Sequence, residues 1–213
     1  MDLLIFDLDG TLIDSRLDLA DSVNATRRYM DLGPIDNDLV FSYVGNGAPV
    51  LMRRALGPEA SDTDVARALD YFIRYYSQHC LDHTALYPGV REALDLFRER
   101  GARMAVLTNK PVRISGQIVR GLGLGDHFFR IYGGNSFEQK KPHPVGIDTL
   151  RAEAQTSQSD TWMIGDSWVD IQTARNAGVP SCGVTWGFQP ESLRNTPPDV
   201  LVDRIEDFAQ RFL

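Results

Sequence analysis

Leu3-Leu4-Ile5-Phe6-Asp7-Leu8-Asp9-Gly10-Thr11 is the stretch on which the reading of this chain turns. Four apolar residues end abruptly in two aspartates spaced i, i+2, followed by Gly and Thr. A short apolar run closed by Gly has the pattern of a buried parallel strand entering a turn. Carboxylates at the carboxyl end of such a strand stand where open α/β sheets bind ligands. Two unpaired charges are costly to bury, so structure alone does not call for them. A cationic partner is expected, and a hard divalent metal is the simplest one.

Outward from this segment, short apolar runs recur at 104–107, 131–132, 161–164, 181–184 and 200–202. Between them, apolar residues at i, i+3, i+4 spacing predict helices over 90–100, 112–122, 145–154, 168–177 and 204–212. Pro88-Gly89, Gly101 and Gly178-Val179-Pro180 punctuate the joins. Strands alternating with helices define the α/β class, a doubly wound parallel sheet.

One connection breaks the rhythm. A βα connection normally takes a few residues, whereas about 70 residues separate Asp14 from Tyr87. Helical patterns fill that interval at 16–31, 37–44, 47–56 and 62–82, with no convincing strand. The expected organisation is a core of residues 1–14 and 87–213, with a helical insertion of residues 15–86 acting as a cap.

Bulk properties narrow the function. Of 213 residues, 43% are hydrophobic and 24% charged, as in an ordinary globular protein. The net charge of −7 leaves no basic excess for a general nucleic-acid binder. No apolar run approaches the length of a membrane span, and no signal-like segment precedes the first strand. Cys80 and Cys182 have no metal-ligand spacing and read as buried thiols of a reducing compartment. The expectation is a cytoplasmic protein with neither a nucleic-acid nor a membrane partner. No pattern here fixes an oligomeric state.

Four segments fall at or just after strand ends and are expected to converge on one edge of the sheet. They are Asp7–Thr11, Leu107-Thr108-Asn109-Lys110, Lys140-Lys141-Pro142-His143-Pro144 and Gly165-Asp166-Ser167-Trp168-Val169-Asp170. Asp7 and Asp166 offer hard oxygen ligands suited to Mg²⁺ with retained waters and a substrate phosphate. The Thr108 hydroxyl and the amides around Asn109 are phosphate donors, and Lys141 adds a fixed positive charge. Such parts supply the positioning and charge stabilisation of phosphoryl transfer. A carboxylate can serve as nucleophile, and Asp9 is placed to act as acid and then base. Each segment alone also has a purely structural reading, as a turn, a helix cap or a solvated lysine. Their order along one sheet edge is what points to chemistry.

On these four motifs the chain resembles the haloacid dehalogenase superfamily of phosphohydrolases, over essentially its whole length. The resemblance implies a Rossmann-like core with an inserted all-α cap, and an aspartyl-phosphate mechanism. It implies Asp7 as nucleophile, Asp9 as acid/base, and Thr108 and Lys141 as phosphate ligands. Asp7, Asp166 and the backbone carbonyl of Asp9 would bind Mg²⁺, with Asp170 orienting the metal's waters or Lys141. Within the insertion, Val44-Gly45-Asn46-Gly47-Ala48 and Leu51–Leu56 are similar to the cap of bacterial phosphoglycolate phosphatases. So are Tyr87–Val90, Thr108–Pro111 and 184–188. That makes phosphoglycolate the first substrate to consider among small phosphorylated metabolites. Gly45, Asn46, Gly47 and Arg54 are the cap candidates for substrate contact, with Arg53 beside them. Where the family often has Gly-Tyr after the last motif, this chain has Gly187-Phe188. Trp168 and Trp186 flank motifs but are expected to pack on the sheet. A pyrophosphatase and a sugar-phosphate mutase share the motif set and stay open as alternatives. A dehalogenase would not need Asp9, and a phospho-receiver would not need the insertion.

Overall fold

The computed structural model describes residues 2–210. Its chain divides into two compact units, residues 1–14 with 86–213, and residues 15–85.

The first unit is built on a six-stranded parallel sheet. Its strands are β1 (Leu3–Phe6), β4 (Arg103–Leu107), β5 (Arg130–Tyr132), β6 (Thr161–Gly165), β7 (Ser181–Val184) and β8 (Val200–Val202), in the order β5-β4-β1-β6-β7-β8. Two further strands, β2 (Ile13–Asp14) and β3 (Ala85–Leu86), mark where the chain leaves and re-enters the unit. β3 contradicts the expectation of no strand within 15–86, and β2 lies just before it; two-residue strands leave no periodic signal. All four residues of β1 are fully buried, as expected of a central parallel strand covered on both faces. Phe6 is paired with Val106 on one side and Ile164 on the other, so Asp7 leaves the sheet between β4 and β6.

Period-two alternation sends the residues of β1 to opposite layers. Leu3 and Ile5 join Ala105, Met163, Ile147, Leu150 and Ala174 in one apolar cluster. That layer is covered by α7 (Val145–Ala154) and α8 (Trp168–Ala177). Phe6 points the other way and lies 6.2 Å from both Phe97 and Phe128, ring to ring. That side carries α5 (Val90–Glu99) and α9 (Ile205–Gln210), joined by a Phe97–Phe208 contact at 6.0 Å. The helix α6 (Val112–Gly121) accompanies β5. The end of the helix expected over 204–212 lies outside the described residues.

The second unit is helical: α1 (Arg16–Tyr29), α2 (Asn37–Tyr43), α3 (Ala48–Leu56) and α4 (Asp62–His79). Val23, Val40, Met52, Ala68, Phe72 and Tyr76 form its interior. Ser61 and Asp64 cap α4 reciprocally, satisfying donors that the first turn would otherwise leave open. Arg27 donates to the carbonyls of Gly33 and Ala55, strapping α1 to the segment before α2 and to α3. The expected helix over 62–82 stops at His79, where the chain turns and His79 pairs with Asp82 at 2.7 Å. Among the described residues, no helix is long and apolar enough to cross a membrane.

Candidate active site

The parallel sheet sends the carboxyl ends of β1, β4, β5 and β6 to one edge, and the four motifs follow those ends. Asp7 begins the loop after β1. Its N–H still donates to Ile164 O at 2.9 Å, and its Oδ1 accepts from Leu8 N at 2.7 Å. The last ladder bond of the strand fixes its backbone, and the Leu8 amide holds its side chain. Asp166 follows β6 and accepts from Phe188 N at 2.6 Å and Gln189 N at 3.3 Å, both at Oδ2. Two glycines make room for it. A Cβ on Gly187 would lie 2.1 Å from Asp166 Cβ, and one on Gly10, where φ is +80°, would lie 2.4 Å from its Oδ2. The backbone amides of Phe188 and Gln189 thus hold one oxygen of this carboxylate.

Asp170 lies in the first turn of α8. Its Oδ2 accepts from Ser167 N at 3.1 Å and Ser167 Oγ at 2.7 Å, a cap interaction. Its Oδ1 accepts from Lys141 Nζ at 2.6 Å. Lys141, 2% exposed, also reaches Asp7 Oδ1 at 3.0 Å. Oxygen atoms of Asp7, Asp166 and Asp170 all lie within 4.8 Å of one another.

The loop after β4 completes the edge. Thr108 is buried, and its Oγ1 accepts from Lys110 N at 3.2 Å. Asn109 Nδ2 donates to Lys141 O at 3.1 Å, tying this loop to the one after β5. Lys110 Nζ meets both carboxylate oxygens of Asp9 at 2.9 Å each. Lys110 belongs to the Leu107–Lys110 motif, yet Thr-Asn before Lys-Pro reads as a turn and helix start and assigns it no role. Its signal was the need of Asp9 for a cation.

The electrostatics of this edge are unusual. Burial pushes Asp166 up to about 8, reinforced by the nearby charges of Asp170 and Asp7 and opposed by the Phe188 and Gln189 amides. Asp7 rises to about 6, again chiefly through burial, with Lys141 opposing and Asp170 adding to the rise. For Lys141, burial acts to lower the pKa, but Asp170 and Asp7 outweigh it and the net shift is upward. When fully ionised, the four carboxylates (Asp7, Asp9, Asp166, Asp170) exceed the two ammonium groups (Lys110, Lys141) by two negative charges. A divalent cation cancels that excess, and an all-oxygen donor set suits a hard ion. The residues present therefore fit a metal.

Arg54 and the Gly45-Asn46-Gly47 turn belong to the helical unit. Arg54 is exposed and donates to Tyr43 O at 3.2 Å. Arg53 is engaged within the unit, with Ala60 O at 2.6 Å and with Asp62. Trp186 is half-buried, its Nε1 donating to Thr11 O at 3.1 Å and its ring 6.2 Å from that of Tyr87. Trp168, at the first position of α8, is 38% exposed rather than packed on the sheet.

These features agree with what the chain is similar to. It belongs to the haloacid dehalogenase-like hydrolase family, whose profile matches residues 4–184. The phosphoglycolate phosphatase of Vibrio vulnificus (strain YJ016) is 38% identical over 212 residues, covering 95% of this chain and 92% of that protein. That of Pseudomonas putida is 40% identical over 192 residues, covering 87% and 70%. A crystal structure of a predicted phosphoglycolate phosphatase from Haemophilus somnus 129PT superposes with a TM-score of 0.94 at 31% identity, covering 100% of this chain and 98% of that one. The chain is an enzyme, a phosphoric monoester hydrolase of this family.

Proposed function

We propose that the chain hydrolyses phosphoglycolate, or a closely similar small phosphorylated acid, through an aspartyl-phosphate on Asp7 with Mg²⁺ as cofactor. The observation that carries this reading is the grouping of the Asp7, Asp166 and Asp170 carboxylates around buried Lys141, with Asp9 alongside on the same loop. Asp7, Asp166 and the Asp9 backbone carbonyl would hold the ion. When bound, it neutralises the carboxylates and lets an anionic phosphoryl group approach them.

The chain's own residues do the rest. A carboxylate oxygen of Asp7 attacks phosphorus while the bond to the ester oxygen breaks, and Asp9 gives its proton to the departing alkoxide. Thr108 and Lys141 hold the phosphoryl oxygens and take up developing negative charge. Asp9, now ionised, then accepts a proton from water as that water attacks phosphorus. Phosphate leaves and the Asp7 carboxylate is regenerated. Lys141 is kept in place by Asp170, which is itself held by Ser167. We assign substrate choice to the helical unit, with Gly45, Asn46, Gly47 and Arg54 as candidate contacts for the substrate carboxylate. Two buried thiols, Cys80 and Cys182, suit a reducing compartment, the cytoplasm.

The names of the curated relatives favour phosphoglycolate over pyrophosphate or a hexose phosphate. A panel of phosphoglycolate, pyrophosphate and hexose phosphates, assayed with Mg²⁺ and with chelator, tests this. Phosphoglycolate should give the highest kcat/KM, and chelator should abolish turnover. Turnover indifferent to chelator overturns the metal-dependent mechanism, and a higher kcat/KM for another ester overturns the substrate.

A further inference from the structure

Lys110 is 3% exposed in its side chain and sits 2.9 Å from both oxygens of Asp9, itself 13% exposed. An apolar residue of similar volume would fill this space without the cost of desolvating an ammonium group. The loop that carries Lys110 is also fastened at two points to the loop after β5. Asn109 Nδ2 donates to Lys141 O at 3.1 Å, and Gly134 N donates to Lys110 O at 2.9 Å. The backbone after β5 approaches so closely that a Cβ on Gly134 would lie 2.3 Å from Asn109 O. A buried cation on a loop this firmly held is built to fix its partner.

We propose that Lys110 is a positioning residue for proton transfer by Asp9. By engaging both carboxylate oxygens it sets the plane and rotamer of the group that must meet the leaving oxygen. A general acid contributes only when it lies within hydrogen-bond reach of the atom it protonates. Without the ammonium group, Asp9 loses the contact that holds both of its oxygens and meets that atom less often. The inference rests on the reading of Asp9 as acid/base.

The test uses the full-length enzyme with Lys110→Met, and with Lys110→Arg, which keeps a charge in the fold and displaces the donors without deleting them. For phosphoglycolate, kcat/KM should fall on the order of 10- to 100-fold, part of the ~10²–10⁴ that acid–base catalysis supplies. The loss should shrink for p-nitrophenyl phosphate, whose leaving group needs little protonation. Inorganic phosphate and Mg²⁺ should bind by calorimetry as they do to wild type. In an Asp9→Asn background, Lys110→Met should cost nothing further. Lys110→Arg should show the same pattern to a smaller degree. Weakened phosphate binding, equal loss for both esters, or an additive loss in the Asp9→Asn background each overturn the inference. Wild-type rates in the Lys110 variants beside an inactive Asp9→Asn enzyme overturn it alone. Wild-type rates in Asp9→Asn overturn it together with the reading beneath it.

Discussion

Asp18 in the helical unit and Asp166 at the sheet edge are both buried carboxylates, 1% and 3% exposed. Asp18 accepts from His83 N and Thr84 N at 2.9 Å each and from Thr84 Oγ1 at 2.7 Å. Those donors engage both of its oxygens, and the carboxylate serves to pin the end of the unit onto α1. Asp166 has two N–H donors on one oxygen and faces two further carboxylates. The first is a satisfied structural charge. The second is a charge whose neighbours push its pKa up and whose balance waits on a cation. Buried charge alone therefore does not mark function, whereas buried charge among like charges does.

The sharpest way to break this contrast is at its reactive end. Asp7→Asn should lower turnover by about 10⁴-fold or more, the scale on which removing a nucleophile acts. The fold should survive, because Lys141 keeps its 2.6 Å contact to Asp170. Steady-state kinetics beside a thermal melt checks both halves. Residual turnover near wild type would remove Asp7 from the nucleophile's role.

The pH dependence of stability separates the two aspartates next. Asp166 is raised to about 8 and Asp7 to about 6, above their unfolded values near 3.8. Between those limits the folded state binds more protons than the unfolded state, so stability falls as pH rises. In chelator, the wild-type protein should lose stability relative to Asp166→Asn from about pH 4 to pH 8. Added Mg²⁺ should remove the loss, since the ion replaces the protons. Denaturant melts at several pH values test this, and parallel wild-type and variant curves would refute it.

Asp18→Ala probes the structural end. Three donors lose their acceptor, at a cost of roughly 3 kcal/mol in unfolding free energy. Per folded molecule, kcat should stay at the wild-type level. A drop in kcat with unchanged stability would place Asp18 with the reactive carboxylates and erase the contrast.

The same two residues show what a sequence makes legible. Asp7, Asp9 and Asp166 stood out because each ends an apolar run, a local pattern visible without contacts. The partners did not. Lys110 is 101 positions from Asp9, and Thr84 is 66 from Asp18. Nothing near either lysine or threonine announces a carboxylate. The amides of Phe188 and Gln189 leave no side-chain signature at all. Likewise β2 and β3, two residues each, are shorter than any periodic pattern. For Trp168, an aromatic residue after a strand suggests packing, whereas in the first turn of α8 it is exposed.

Arg54 carries the smallest expected effect and extends the contrast to substrate choice. It is exposed, and its contact with Tyr43 O is at 3.2 Å, so Arg54→Ala should change stability by no more than about 0.5 kcal/mol. If it meets the substrate carboxylate, the KM for phosphoglycolate should rise several-fold with kcat little changed, as when binding common to ground and transition states is removed. The KM for p-nitrophenyl phosphate, which has no carboxylate, should stay put. Arg53→Ala is the matched control: it breaks contacts with Ala60 and Asp62, so it should lower stability and spare both KM values. An equal rise for both esters in Arg54→Ala would show that the side chain contributes general positive charge. No change for either would return Arg54 to the solvated face of α3, leaving the Gly45–Gly47 turn to be tested alone.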